Sequence, residues 1–309
     1  MLGCALNSRK KIFARIKYPT NPKSIEQEHI NSLVKLVNKI LSEGNLDKKN
    51  IKAICLGVPG SVNPYTGKIG LAPNLGLRNF NIKKPLESKL KIPVLIENDV
   101  NLAAIGIKKF EAKKNISDML TVFIGTGIGG GIIFNNKLYR GKNYVAGEIG
   151  HMIVEPDGTK CGCGNNGCFE AIASRTAIVN KIIDDVKNGK KCSLSKMIIS
   201  GERIKSKMIA SAIKSKDKVV IKRIDEASVI IGNVLSGLAN LLNFQLIVLG
   251  GGLIEATGNY MLSRIKKSIN KNILPDSKKG LEIVGTKLGD DAAIYGGVPL
   301  VEEFLKIKI

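Results

Sequence analysis

The sequence predicts a two-domain α/β protein. Strand-like apolar runs alternate with helical patterns from one end to the other, the mark of layered α/β architecture. At 309 residues the chain can bury a substantial core and would ordinarily divide in two. Three of its apolar runs, residues 51–58, 120–124 and 246–249, end in small or glycine-rich turns. Sheets of this class present ligands at such strand ends.

Residues 3–18 read as a hairpin, with Ile12, Ala14 and Ile16 alternating along one face and Asn7-Ser8 signalling the turn. Residues 24–46 carry Ile30, Leu33, Val34, Val37, Ile40 and Leu41 at the spacing of one buried helix face. The strand at 51–58 exits through Pro59-Gly60-Ser61, either a ligand-lining exit or a plain turn. A short helix at 85–90 precedes a core strand at 92–96, I-P-V-L-I, which delivers Glu97, Asn98 and Asp99 to its carboxyl end. A carboxylate beside an amide can orient a hydroxyl and take its proton. On spacing alone the stronger reading is that Asn98 or Asp99 caps a helix starting near Asn101.

The strand at 120–124 runs into G-T-G-I-G-G-G, which is Gly125, Thr126, Gly127, Ile128, Gly129, Gly130 and Gly131. Its glycines leave backbone N–H groups open to phosphate oxygens. Residues 125–130 also satisfy G-x-G-x-x-G, but that dinucleotide fingerprint needs a helix next. Here I-I-F-N-N-K-L-Y follows, a strand, an Asn-Asn turn and another strand. A glycine-rich hairpin folded over phosphates is the better reading. Further on, the chain predicts a helix at 169–189, small surface helices within 190–220 and a long apolar helix at 225–243. The strand at 246–249 ends in Gly250, Gly251 and Gly252, where a nucleotide's base or ribose can lie against backbone. A tight strand-to-helix turn is the plain alternative. A helix at 261–269, a strand at 281–284 and a last helix at 292–305 complete the chain.

Between these elements, residues 147–170 have no periodic apolar face of their own. They hold His151, Cys161, Cys163 and Cys168, spaced H-x9-C-x-C-x4-C. Three thiolates and one imidazole form a complete tetrahedral zinc set with no position open to water, so the ion would be structural. Gly162, Gly164 and Gly167 would let the backbone fold tightly around it. The alternatives are unrelated free cysteines, or disulfides, which two thiols one residue apart rarely form with each other.

Composition narrows the function classes. The chain is 44% apolar and 24% charged, with no apolar run of membrane-spanning length. Its N-terminus lacks the apolar core of a signal peptide, and the reduced thiols suit the cytoplasm. The formal charge of +22 is spread over scattered lysine pairs, without tryptophan for stacking. That pattern favours a solvated lysine-rich surface, with some attraction for anionic substrates, over nucleic-acid binding.

Four motifs together resemble the ROK family, which groups sugar kinases with sugar-responsive repressors: I-E-N-D at 96–99, G-T-G-I-G-G-G at 125–131, G-E-x-G-H at 147–151 and C-G-C-G-x-x-G-C-x-E at 161–170. The resemblance runs from about residue 3 to near the C-terminus. It implies the two-domain actin/hexokinase/RNase H-like fold: a small α/β domain at 1–104, a large one at 105–293 carrying the zinc loop, and a final helix at 294–309 packing back on the first. It also implies transfer of the γ-phosphoryl of ATP, with Mg²⁺, to a hexose, glucose foremost. Asp99 would be the general base, and Asn74, Asn98, Glu148, His151 and Glu170 would bind hydroxyls. His151 would give one ring nitrogen to zinc and the other to sugar. Homodimers are common in the family.

One departure stands out. Family kinases open with a strand and a D-x-G-G-T-K phosphate loop, whereas here residues 1–6 align with the strand that follows it. Asp157-Gly158-Thr159-Lys160 resembles a fragment of that loop but sits within the zinc loop. A start placed too late is the favoured explanation. The alternative is a truncated relative that binds sugar without phosphorylating it. A repressor reading is weak, because no helix-turn-helix precedes the first domain.

Overall fold

The computed structural model describes residues 1–21 and 24–308. The chain opens with the expected hairpin, β1 (Leu2–Leu6) antiparallel to β2 (Ile12–Lys17). Ala14 and Ile16 pack it on Leu36 and Ile40 of α1 (Glu26–Glu43). Next, β3 (Ile54–Val58) leads into three antiparallel strands that the sequence did not announce: β4 (Ser61–Asn63), β5 (Lys68–Ala72) and β6 (Leu77–Asn81). After α2 (Lys83–Leu90), β7 (Val94–Asn98) pairs parallel with β3 and runs directly into α3 (Asp99–Phe110).

The second half is built on one five-stranded sheet. Its strands are β8 (Met119–Ile124), β9 (Ile128–Phe134), β10 (Lys137–Leu138), β11 (Leu246–Gly250) and β12 (Glu282–Gly285), in the order β10-β9-β8-β11-β12. β8, β11 and β12 are mutually parallel, while β9 and β10 fold back antiparallel. Asn135 and Asn136 take left-handed φ values of 49° and 63° in the expected Asn-Asn turn. A strand therefore follows the glycine run, as the sequence required, and no dinucleotide helix.

Helices then cover both faces. The single helix expected over 169–189 is two, α4 (Phe169–Ala173) and α5 (Arg175–Lys187). Ser174 is extended between them and caps α5 by accepting from Ala177 N–H at 3.2 Å. α6 (Ser195–Ile199) and α7 (Ser206–Lys214) are short, yet Ile209 and Ala212 are buried in the core rather than on the surface. The long helix α8 (Lys218–Leu242) starts earlier than expected because Asp217 caps it, accepting from Val219 and Val220 N–H. Beyond it lie α9 (Gly252–Thr257), α10 (Asn259–Asn272), α11 (Pro275–Lys278) and α12 (Asp291–Leu305).

One face of the large sheet packs Leu120, Val122, Ile247 and Leu249 against α5, α8 and α10. Its other face packs Met119, Ile133, Leu246 and Val248 against Ala103, Ala104 and Ile107 of α3 and Leu300 and Val301 of α12. Leu95 of β7 joins this second cluster, so α3 and α12 form the layer shared by the two halves. Each fully buried Leu or Ile in these layers contributes about 1.5–3 kcal/mol. Position 104/105, the expected domain boundary, lies inside α3. Among the described residues no helix is long and apolar enough to cross a membrane.

Candidate active site

β7 is buried along its length and leaves its last residue at the junction with α3. Asn98 caps that helix: its Oδ1 accepts from the N–H groups of Val100 (2.9 Å) and Asn101 (3.1 Å). Its Nδ2 donates to Gly60 O at 3.1 Å, tying the exit of β3 to the same corner. The capping reading of the sequence thus holds for Asn98. Asp99 is the first helical residue, and its Oδ1 accepts from Val100 N–H at 3.0 Å. Burial raises the Asp99 carboxyl above its usual range, opposed in part by that N–H.

A cavity opens here, lined by Gly60 and Asn98 on one side and by Gly129, Gly130, Gly147 and Glu148 on the other. Burial raises the Glu148 carboxyl, His151 lowers it, and the carboxylates of Glu170 and Asp99 raise it further. These four groups come from three sequence motifs, and Asp99, His151 and Glu170 lie within electrostatic reach of Glu148, which alone of the four lines the cavity. His151 Nε2 is 3.9 Å from Glu148 Oε2, facing away from the cysteines.

Its other nitrogen faces them. His151 Nδ1 is 3.7 Å from Cys161 Sγ, and Cys163 Sγ is 3.6 Å from Cys168 Sγ. All four ligand atoms lie within 4.8 Å of one another. A tetrahedral zinc with bonds of about 2.0–2.3 Å separates its ligands by roughly 3.3–3.8 Å, the range of these two pairs, so the cluster is compatible with that ion. Burial pushes the Cys168 thiol up to about 12, so a thiolate there needs a cation beside it. The loop is closed by backbone: Cys161 N–H donates to Asn165 O at 2.8 Å, and Val154 N–H donates to Gly167 O at 2.9 Å. Gly167, at φ 66°, is obligatory, because a Cβ there would lie 1.5 Å from Glu155 O. Gly164 is also left-handed, but Gly162 is not.

From Cys168 the chain enters α4 and places Glu170. Its Oε2 accepts from Ile128 N–H at 2.9 Å, joining α4 to the start of β9 just after the glycine turn. That turn is Gly125-Thr126-Gly127, between β8 and β9. Arg175 N–H donates to Gly125 O (3.0 Å), and the Thr176 hydroxyl donates to Thr126 O (2.7 Å). Nothing lies within 4 Å of a Cβ built at Gly125, so one side is open to a ligand. Ile128, Gly129, Gly130 and Gly131 instead belong to β9 and pair with β8. Gly129 and Gly131 let Val100 and Ala104 of α3 approach closely. Gly250 ends β11, Gly251 is left-handed at φ 88° against Ile124, and Gly252 opens α9. Asn74 is exposed on a short 3₁₀ turn, Pro73–Leu75, and does not line the cavity.

Two neighbours carried no signal in the sequence. Tyr144, left-handed at φ 62°, lines the cavity. Arg140 lies behind it, with partners far away in the chain. A polar residue in an otherwise apolar strand, Glu97, was the one hint that a buried charge needed a partner.

Comparison with known proteins identifies the family and the fold. The ROK family model matches residues 1–303. A glucokinase from Halalkalibacterium halodurans is 34% identical over 299 residues, covering 96% of this chain and 90% of that protein. The DNA-binding transcriptional dual regulator NagC of Escherichia coli is 30% identical over 292 residues, covering 94% of this chain and 70% of its own length. Among solved structures, a ROK family glucokinase from Streptomyces griseus in complex with glucose and AMPPNP superposes with a TM-score of 0.86 at 28% identity. That match covers 98% of this chain and 96% of the other. The chain therefore belongs to the ROK family and shares the actin/hexokinase-like α/β fold of its sugar kinases.

Proposed function

We propose that the chain is an ATP-dependent hexose kinase acting on glucose, with Asp99 as the general base. The observation that carries this reading is the gathering of Asp99, His151 and Glu170 within electrostatic reach of Glu148, which lines the cavity, with Glu170 also bonded to the strand after the glycine turn. Hexose hydroxyls would be oriented by Asn98, Glu148, His151 Nε2 and Glu170. Asp99 accepts the proton of the attacking hydroxyl as its oxygen bonds to the γ-phosphorus and the bond to the ADP oxygen breaks. A raised pKa makes Asp99 a better base than an exposed aspartate.

The Gly125–Gly127 turn and Gly250–Gly252 would face the nucleotide, and Mg²⁺ bound with ATP supplies charge neutralisation at the phosphates. Zinc held by His151, Cys161, Cys163 and Cys168 would fix the orientation of His151. Substrates would enter between the lobes at 1–104 and 105–293, with the final helix bridging them.

The test is coupled ADP release with ATP, Mg²⁺ and a panel of hexoses. Turnover on glucose is the expected outcome. Hexose binding by calorimetry without turnover on any sugar would overturn the kinase reading. It would favour the second one, a non-catalytic sugar sensor, which the similarity to NagC supports.

A further inference from the structure

Three charged side chains meet behind the cavity, from positions 97, 140 and 303. Glu97, at the end of β7, is 1% exposed, and Arg140, in the loop after β10, is 9% exposed. Arg140 Nε donates to Glu97 Oε2 at 2.7 Å. Its two terminal nitrogens donate to the two oxygens of Glu303 on α12, at 2.7 and 2.9 Å. The other oxygen of Glu97 accepts from Asn98 N–H (3.0 Å) and Asn101 Nδ2 (3.1 Å). One buried carboxylate thus holds both the Asn98–Asp99 corner and Arg140.

Arg140 also begins the loop that ends in Glu148. Its carbonyl accepts from Ala146 N–H at 3.0 Å, closing the loop on itself. Its guanidinium lies 5.5 Å over the ring of Phe304, next to Glu303. Phe304 contacts Tyr65, and Tyr65 contacts Tyr144, at centroid separations of 5.2 and 5.4 Å. One side chain therefore joins the end of β7, the loop carrying Glu148 and the helix shared by both halves.

Stability alone is a weak reason for such a pair. Burying two charges costs several kcal/mol each, and apolar side chains of similar volume often serve stability as well or better. They cannot hold the Asn98 amide and the 140–148 loop at fixed directions. Bidentate arginine–carboxylate pairing does that.

We propose that Arg140 is a positioning residue. Through Glu97 and Glu303 it sets the Glu148 loop and α12 against the Asn98–Asp99 corner, and so fixes the shape of the hexose pocket. The inference rests on the kinase reading.

Its test is steady-state kinetics of native chain, Arg140→Lys and Glu303→Gln, varying hexose and ATP separately, with thermal unfolding in parallel. Arg140→Lys keeps the charge but loses the fork. It is expected to raise hexose KM and lower kcat by about 10–100-fold combined, with ATP KM within about twofold of native. Glu303 is 38% exposed, so Glu303→Gln should fold as the native chain does. It is expected to move the same constants by about 3–10-fold. Hexose constants within about twofold of native in both variants, whatever the unfolding midpoint, would overturn the inference, as would an equal rise in ATP KM. If Arg140→Lys does not fold, Glu303→Gln alone decides. An inactive native chain is a different result: it removes the kinase reading and the inference together.

Discussion

Gly106 and Gly296 let α3 and α12 touch backbone to backbone, and this contact should govern catalysis from a distance. A Cβ at Gly106 would lie 2.1 Å from Ala292 O and 2.8 Å from Gly296 N. A Cβ at Gly296 would lie 2.0 Å from Leu102 O. Carbon–oxygen contacts settle near 3.3 Å, so Gly106→Ala must part the helices by about 1 Å. Overpacking of this kind costs about 1–3 kcal/mol. Asp99 is the first residue of the same helix, so the shift reaches the proposed base, and a misplacement of 1 Å costs about 10²-fold in rate. The assays are circular-dichroism unfolding and coupled ADP release. A control is Gly237→Ala in α8, where a Cβ meets nothing within 4 Å. That change should stabilise by up to about 1 kcal/mol and leave kcat alone. A Gly106→Ala protein with native midpoint and native kcat would refute both the tight crossing and its link to Asp99.

Replacing Asp99 by Ala should lower kcat by about 10²–10⁴-fold while calorimetric hexose affinity stays near native; unchanged turnover would remove Asp99 from the base role. Cys163→Ser should lower zinc stoichiometry in metal analysis and weaken hexose affinity by about tenfold through His151. Zinc loss with intact affinity would detach the metal from the sugar site. Asp185 is buried between Arg223 and Lys190, and its hydrogen bonds with Arg223 hold its pKa down to about 2. A depressed carboxylate stabilises the fold above its unfolded pKa and loses that contribution as pH falls through the folded value. Asp185→Asn should therefore lower the unfolding midpoint at pH 6, with the gap to native closing between about pH 4 and pH 2. A gap independent of pH would show that the ion pair contributes nothing.

The sequence disclosed elements whose signal is local. The hairpin at 2–17, β7, the β8–β9–β10 meander and α8 each carry a complete periodic pattern, and the Cys/His set carries its own spacing. The three strands β4–β6 were not legible. Pro64, Gly67, Pro73 and Gly76 break their alternation, and a register shift at Ser61/Val62 removes what remains. The break at Ser174 was hidden because apolar residues continue at helical spacing through it, leaving the cap visible only from the Ala177 N–H it accepts. Arg140 was invisible for a different reason. Its partners lie 43 and 163 residues away, and nothing in L-Y-R-G-K marks a residue that will be buried.

The site residues also show why motif matching and geometry give different information. Asn98 is proposed to bind sugar, yet most of its hydrogen-bonding capacity is committed to the α3 cap and Gly60. One Nδ2 hydrogen remains for a ligand. Glu170 likewise spends one oxygen on Ile128 N–H, and His151 turns Nδ1 to the cysteines. Each residue is therefore held by the fold yet keeps hydrogen-bonding capacity for a ligand: one Nδ2 hydrogen of Asn98, the second carboxylate oxygen of Glu170 and Nε2 of His151. Loss of such a residue disturbs structure and binding at once, so an alanine at Asn98 or Glu170 cannot assign either role. Asp99 differs, since burial affects its carboxylate and it is held by the backbone N–H groups of Val100 and of Asp99 itself. Among these residues it is the one whose removal should separate chemistry from architecture.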